Sequence, residues 1–215
     1  MSESFKDQVF RLREDAIVAA VNRLLSEKGF DLMTVDAVAA EVGIGKASLY
    51  KHFGSKEELG AAVMAYVLQQ AIAQASLIAA DTSLDDFERL VAMARWAVVR
   101  QLRGEMPALP AQNPTLRAAM LGHRIFMDRL TLLSDQLGAW IESARAGGHL
   151  DASFPAEMAL YSLFAKGCDP VVVIMKESRQ YSEEQIVDWS VRSCFMGLAG
   201  PARRPVAKRP ASRRG

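Results

Sequence analysis

Cysteine is scarce: the 215 residues include two, Cys168 and Cys194. They lie far apart and in no metal-ligand spacing, so they read as reduced, buried, small apolar side chains. The three histidines are isolated as well. No phosphate-cradling glycine loop, nucleophile elbow or metal-ligand cluster is present, which argues against an enzyme and implies no cofactor and no metal. No stretch of about 18 uncharged apolar residues stands out, so no membrane-spanning helix is expected. The opening MSESFKDQVFRLRED is charged and lacks a signal-peptide core. The expected location is therefore the cytoplasm. Strand-period alternation is missing throughout, as are internal repeats, which leaves an all-α chain. Net charge is small too, at +1. Six basic residues and no acid fall in Pro201–Gly215, so the chain without that tail stands at −5. An overall basic balance, the usual mark of a nucleic-acid binder, is thus lacking, and any DNA-binding face must be local.

What the chain does contain is concentrated between Thr34 and Glu58, TVDAVAAEVGIGKASLYKHFGSKEE. Thr34 is a good helix N-cap. Val35, Val38, Ala39 and Val42 then follow at helical spacing as one apolar stripe. Gly43 is the expected left-handed stop, and Ile44 returns to the core. A second short helix spans Lys46 to His52. Ser55 with Glu58 forms a capping box that starts a third. Two short helices across a glycine turn make either an ordinary helical hairpin or a helix-turn-helix, whose second helix enters the major groove. With Leu49 and Phe53 facing inward, Ala47 and Lys51 point outward. Ser48 and Tyr50 flank them, and Lys46 leads the helix. Such a small, polar face lets the backbone approach base edges while hydroxyls and amines contact bases or phosphates.

The residues are more particular than a generic hairpin. The run resembles the N-terminal DNA-binding domain of the TetR family of transcriptional regulators, over roughly residues 10 to 60. The resemblance rests on Gly29-Phe30, the Thr34 cap, Val38-Ala39, Gly43-Ile44, Leu49-Tyr50-x-His52-Phe53 and Ser55-Lys56-Glu57-x-Leu59. Gly45 departs from a frequent Ser, and Met33 from a frequent second Thr. The resemblance implies double-stranded DNA with a palindromic operator as partner. The DNA-contacting set is Thr34, Gly45, Lys46, Ala47, Ser48, Tyr50, Lys51, His52 and Lys56. It also implies a C-terminal helical bundle that binds a small inducer and forms a homodimer through its last two helices.

The expected organisation is a helix-turn-helix domain at residues 1–54, a helical ligand-binding and dimerisation domain at 55–200, and a basic, disordered tail at 201–215. Helix one should run from Asp7 to Lys28 with Ile17, Val21, Leu24 and Leu25 inward. From Ser55 to about Ala80 a continuous helix would link the two domains. Gly122 and Gly138 are possible bends in a long stretch from Thr115 to Ala146. Pro170 should kink a helix that runs from Pro155 to Lys176.

In the second domain Met93, Trp96, Met120, His123, Arg124, Phe126 and Met127 are candidate ligand contacts. They read either as the walls of a cavity or as plain core. Leu160, Phe164, Val172, Trp189, Phe195 and Met196 exceed what one internal face needs. Either the pair of helices is wholly internal or a two-fold partner covers it. The function follows as a ligand-released repressor, or alternatively a DNA-bound protein that recruits a partner and has no inducer. A filled core around Trp96 and Phe126 would favour the second.

Overall fold

The computed structural model describes residues 5–107, 113–151 and 153–195; Met196 and the basic tail lie outside them. The described residues form helices and no strand. α1 (Phe5–Leu32) is interrupted at Gly29, whose φ of 75° ends the regular helix and folds Phe30 back into the core. α2 (Val35–Val42) starts at Thr34, whose hydroxyl accepts from the Ala37 amide, a cap worth about 1 kcal/mol. It stops at Gly43 in the left-handed region, φ 71°, where the Gly43 amide reaches the Ala40 carbonyl. α3 (Lys46–His52) follows after two residues.

These helices enclose a first core of Ile17, Val21, Leu25, Phe30, Val38 and Leu49. That core does not close with residues from α1 to α3 alone. Leu59, Val63 and Val67 of α4 (Lys56–Ala80) and Leu116 of α6 (Pro114–Gly122) complete it. α4 starts as the sequence predicts, with the Ser55 hydroxyl accepting from the Glu58 amide. Glu58 reaches back to the Gly54 amide rather than to that of Ser55.

The second core lies among α4, α5 (Asp86–Leu102), α7 (Arg124–Ala146), α8 (Ala156–Ala165), α9 (Pro170–Ser178) and α10 (Glu183–Phe195). α5 begins at a complete capping box, Asp85 with Glu88. The expected long stretch from Thr115 breaks at His123, which caps α7 by accepting the Phe126 amide on Nδ1. Gly138 causes no interruption, since it lies within α7. Near Pro170 the helix stops altogether rather than kinking. Asp169 caps a new helix through the Val171 amide and pairs with Lys166 at 2.6 Å. Reciprocal bonds between Ser182 and Gln185 open α10.

Two segments are, by length and apolar character, able to cross a membrane: Lys56–Ala80 and Ala156–Ser178. The first is the shared core helix α4. The second is divided between α8 and α9, and much of its surface is exposed in the single chain.

Candidate DNA-binding face and ligand cavity

α3 is held from behind by Leu49, which is fully buried, and by half-buried Phe53. Burial of a leucine is worth about 1.5–3 kcal/mol, so the rotational setting of this short helix is fixed from the core side. Gly45, Lys46, Ala47, Tyr50 and Lys51 are exposed, and Ser48 is half-buried beside them. Thr34 is exposed, but its hydroxyl is engaged as the α2 cap. The Lys46 ammonium pairs with Asp36 of α2 at 3.0 Å. This hydrogen-bonded carboxylate raises the Lys46 pKa above its ordinary value, so the lysine is charged but already partnered.

His52 does not belong to this outward face. Its side chain is 4% exposed, stacks on Phe10 of α1 with 4.2 Å between centroids, and places Nδ1 3.6 Å from Glu14. Sequence reasoning missed this because the ring's partner lies far away on α1. Lys56 is half-buried rather than free. Its ammonium donates to the Asp31 carbonyl at 3.3 Å and lies 4.5 Å from the centre of the Phe30 ring. It therefore fastens the end of α1 to the start of α4.

Further contacts brace α4 and α1 against their neighbours. Arg129 of α7 donates to the Ala65 carbonyl of α4 at 2.8 Å. Gly60 sits where α4 meets both neighbours: a Cβ there would stand 2.8 Å from Leu116 Cδ1 and 3.2 Å from Phe30 Cε2. Asn22 of α1 donates to the Glu105 carbonyl at 3.2 Å, across to the turn that follows α5.

Behind these contacts, in the second core, lies an apolar cavity of about 360 Å³. α4 contributes Met64, Val67 and Leu68, and α5 contributes Met93 and Trp96. Phe126 and Leu130 of α7, Phe164 of α8, and Met106 close further sides. Among the described residues no charged one lines it. A space of this size and character suits an apolar group and offers no counter-charge to an ionised one. The cavity thus brings together Met93, Trp96 and Phe126 of the expected set. Met120 and Met127 pack nearby against the cores without lining it.

Arg124 lies elsewhere: its side chain is 92% exposed, within 3.6 Å of Asp128. Helix α7 starts at this residue, and its inward stripe begins only at Phe126. His123 borders instead a wide groove between the helix-turn-helix and α6–α7, along with Glu14, Glu58 and Arg129.

Two residues expected at a dimer face turn inward. Phe164 lines the cavity, and Val172 is buried in the second core, since α9 has one stripe on α5 and another on solvent. The exposed large apolar residues of α8 and α9 are Met158, Tyr161, Val171, Val173 and Ile174, with Trp189 of α10 also exposed. Leu160 is half-buried, Phe195 packs on Phe87 with 5.4 Å between centroids, and Trp189 stands edge-on to Tyr181.

A helix-turn-helix whose short second helix is anchored from behind, joined by one long helix to a larger helical bundle, defines a DNA-binding transcriptional regulator. Residues 17–63 match the sequence profile of bacterial regulatory proteins of the tetR family. The nucleoid occlusion factor SlmA of Serratia proteamaculans is 29% identical over 141 residues, 64% of this chain and 66% of that protein. The matched stretch therefore spans slightly less than two thirds of that relative. Among solved structures, the transcriptional regulator FadR from Bacillus subtilis in complex with stearoyl-CoA superposes with a TM-score of 0.61 at 16% identity, covering 86% of this chain and 98% of that one. AibR in complex with isovaleryl coenzyme A and operator DNA gives 0.58 at 22% identity, covering 85% and 98%. The DNA-binding segment is thus of the TetR type, the family of transcriptional regulators whose profile residues 17–63 match.

Proposed function

We propose that the protein is a cytoplasmic, homodimeric repressor that binds a palindromic operator and is released from it by a small molecule. In this reading residues 1–54 contact DNA, and residues 55–200 hold the ligand and the partner protomer. Gly45, Lys46, Ala47, Ser48, Tyr50 and Lys51 lie against the duplex. Thr34 and Lys56 support the face rather than lead it.

One observation carries the regulatory part. Val67 of α4 lines the cavity and belongs to the first core as well. A ligand wall and the seat of the helix-turn-helix are thus the same piece of helix. An occupant that shifts α4 changes the separation of the two recognition helices in a dimer and so lowers operator affinity. Linkage then requires the operator to lower ligand affinity by the same factor.

The apolar lining supports an occupant with an uncharged hydrocarbon body. The CoA esters held by the FadR and AibR neighbours make an acyl group the first class to try. The exposed apolar residues of α8 and α9 support burial against a second copy. The open space beside Trp96 and Phe126 favours this reading over recruitment of a protein partner without an inducer.

The test begins by selecting the preferred duplex from random DNA. That complex is then titrated with acyl-CoAs of increasing chain length. Release that depends on chain length, and is lost when Ala97→Trp fills the cavity, is the expected outcome. Chain-length-independent release, or release retained in Ala97→Trp, would overturn the assignment of the cavity.

A further inference from the structure

The turn after α5 touches three bodies at once. Arg100 of α5 holds Glu105 by an ion pair of 2.8 Å, and the Glu105 amide donates to the Arg100 carbonyl at 2.9 Å. The Glu105 carbonyl accepts from Asn22 in the middle of α1. Met106, the next residue, both lines the apolar cavity and packs against the first core. On the cavity side Met106 lies so close to the α8–α9 junction that a Cβ on Gly167 would stand 2.6 Å from its Cε.

Asn22 is notable in its own right. It is a buried polar residue, 9% exposed, and its Oδ1 has no protein partner. Its amide therefore depends on a single long-range bond, to the Glu105 carbonyl. A buried amide that loses such a bond is destabilised by more than the bond itself contributes, because water cannot replace it. That makes α1 sensitive to small displacements of the Glu105–Met106 turn.

We propose that Glu105 and Met106 form a relay from the cavity to α1, separate from the movement of α4. Methionine is long and flexible, so an occupant displaces it readily. Peptide planarity ties the Met106 position to the Glu105 carbonyl one residue away. A displacement larger than the Met106 side-chain torsions absorb, with the side chain held between the first core and Gly167, therefore draws that carbonyl from Asn22 and loosens α1, which carries Ile17, Val21 and Leu25 of the core behind the recognition helix. The relay rests on the ligand reading above for its natural trigger, but the structure offers a way to trigger it without any ligand.

Gly167→Ala places a methyl where the Met106 terminus now stands, and so pushes the side chain as an occupant would. The expected result is faster hydrogen exchange in α1 around Asn22 and about fivefold weaker binding to the selected operator, the factor for one ordinary hydrogen bond. Met106→Ala combined with Gly167→Ala restores the space and should return both readings to wild type. The exchange rates of α5 and α7 serve as the check on folding.

N-phenyl-1-naphthylamine, a neutral apolar fluorophore, tests the occupied state, its fluorescence reporting entry. It should loosen α1 in the wild type, and should enter Met106→Ala without doing so. Unchanged α1 exchange in Gly167→Ala, or a double variant as perturbed as the single one, overturns the relay. If neither the fluorophore nor any acyl-CoA enters the cavity, the ligand reading fails while the Gly167→Ala result still decides the relay. If the fluorophore loosens α1 equally in Met106→Ala, the ligand reading stands and the relay is wrong.

Discussion

Asp36→Asn should make the protein bind DNA more tightly and with greater salt sensitivity. Lys46 and Asp36 are about half and mostly exposed, and 3.0 Å apart, at the edge of the α3 face. As a pair they offer no net charge to a duplex. Replacing the carboxylate by an amide frees one ammonium without moving the backbone. Each phosphate contact changes the slope of log affinity against log salt by about 0.9, so the variant should be steeper than wild type by about that amount. Between 1 M and 0.1 M salt this corresponds to about an eightfold relative gain at the lower concentration.

Stability should change little, since exposed pairs contribute little and Asp36 loses only its place in the first turn of α2. Lys46→Ala should have the opposite effect on binding, because it leaves the carboxylate facing phosphate alone. The double variant should return to the wild-type slope. Fluorescence anisotropy with a labelled random duplex across a salt series measures all four proteins. Equal slopes for wild type and Asp36→Asn would show that Lys46 does not lie against phosphate.

Leu49→Ala should destabilise the first core by about 2–5 kcal/mol, as expected for a fully buried leucine. All three tryptophans lie in the second domain, so circular dichroism should register a transition before tryptophan fluorescence does; coincident, unshifted transitions would contradict two distinct cores. Tyr50→Ala should weaken operator and random DNA alike and lower the salt slope, and an operator-only effect would instead assign Tyr50 to base reading. Acid should destabilise the second domain partly through Asp86. The Ser143 hydroxyl and the Arg89 guanidinium hold its carboxyl below the ordinary range. That stabilisation is present above the unfolded value of about 3.9 and is lost as pH falls through the folded one. Asp86→Asn should flatten the loss of melting temperature below about pH 4, and an unchanged profile would remove Asp86 from the account.

The helix-turn-helix was legible because its signals are local. Thr34, Gly43 and Ser55 act on amides within a few residues, and the Leu49 and Phe53 spacing sets the α3 register directly. The same holds for α4, whose cap and uninterrupted length follow from neighbouring residues. His52 was not legible, because its burial is decided by Phe10 and Glu14 on another helix. Phe164 and Val172 escaped for a related reason. An apolar residue on a helix with two apolar faces does not announce which face meets the core and which meets solvent. The break at His123 needed an imidazole to act as a helix cap, a role usually filled by Ser, Thr, Asp or Asn. Met106 lies in a Pro-rich loop with no periodicity, so nothing nearby in the chain indicated that it bridges the two cores.

The sharing of α4 by two cores bears on how such a regulator can diverge. A change at Val67 is judged twice, once by the core behind the recognition helix and once by the cavity of the second core, while Leu59 and Val63 answer to the first core. Downstream, at Ala71 and beyond, only the bundle objects. A lineage that acquires a new effector should therefore accumulate its substitutions in the latter half of this helix and across α5 and α7, while the first three turns stay nearly frozen.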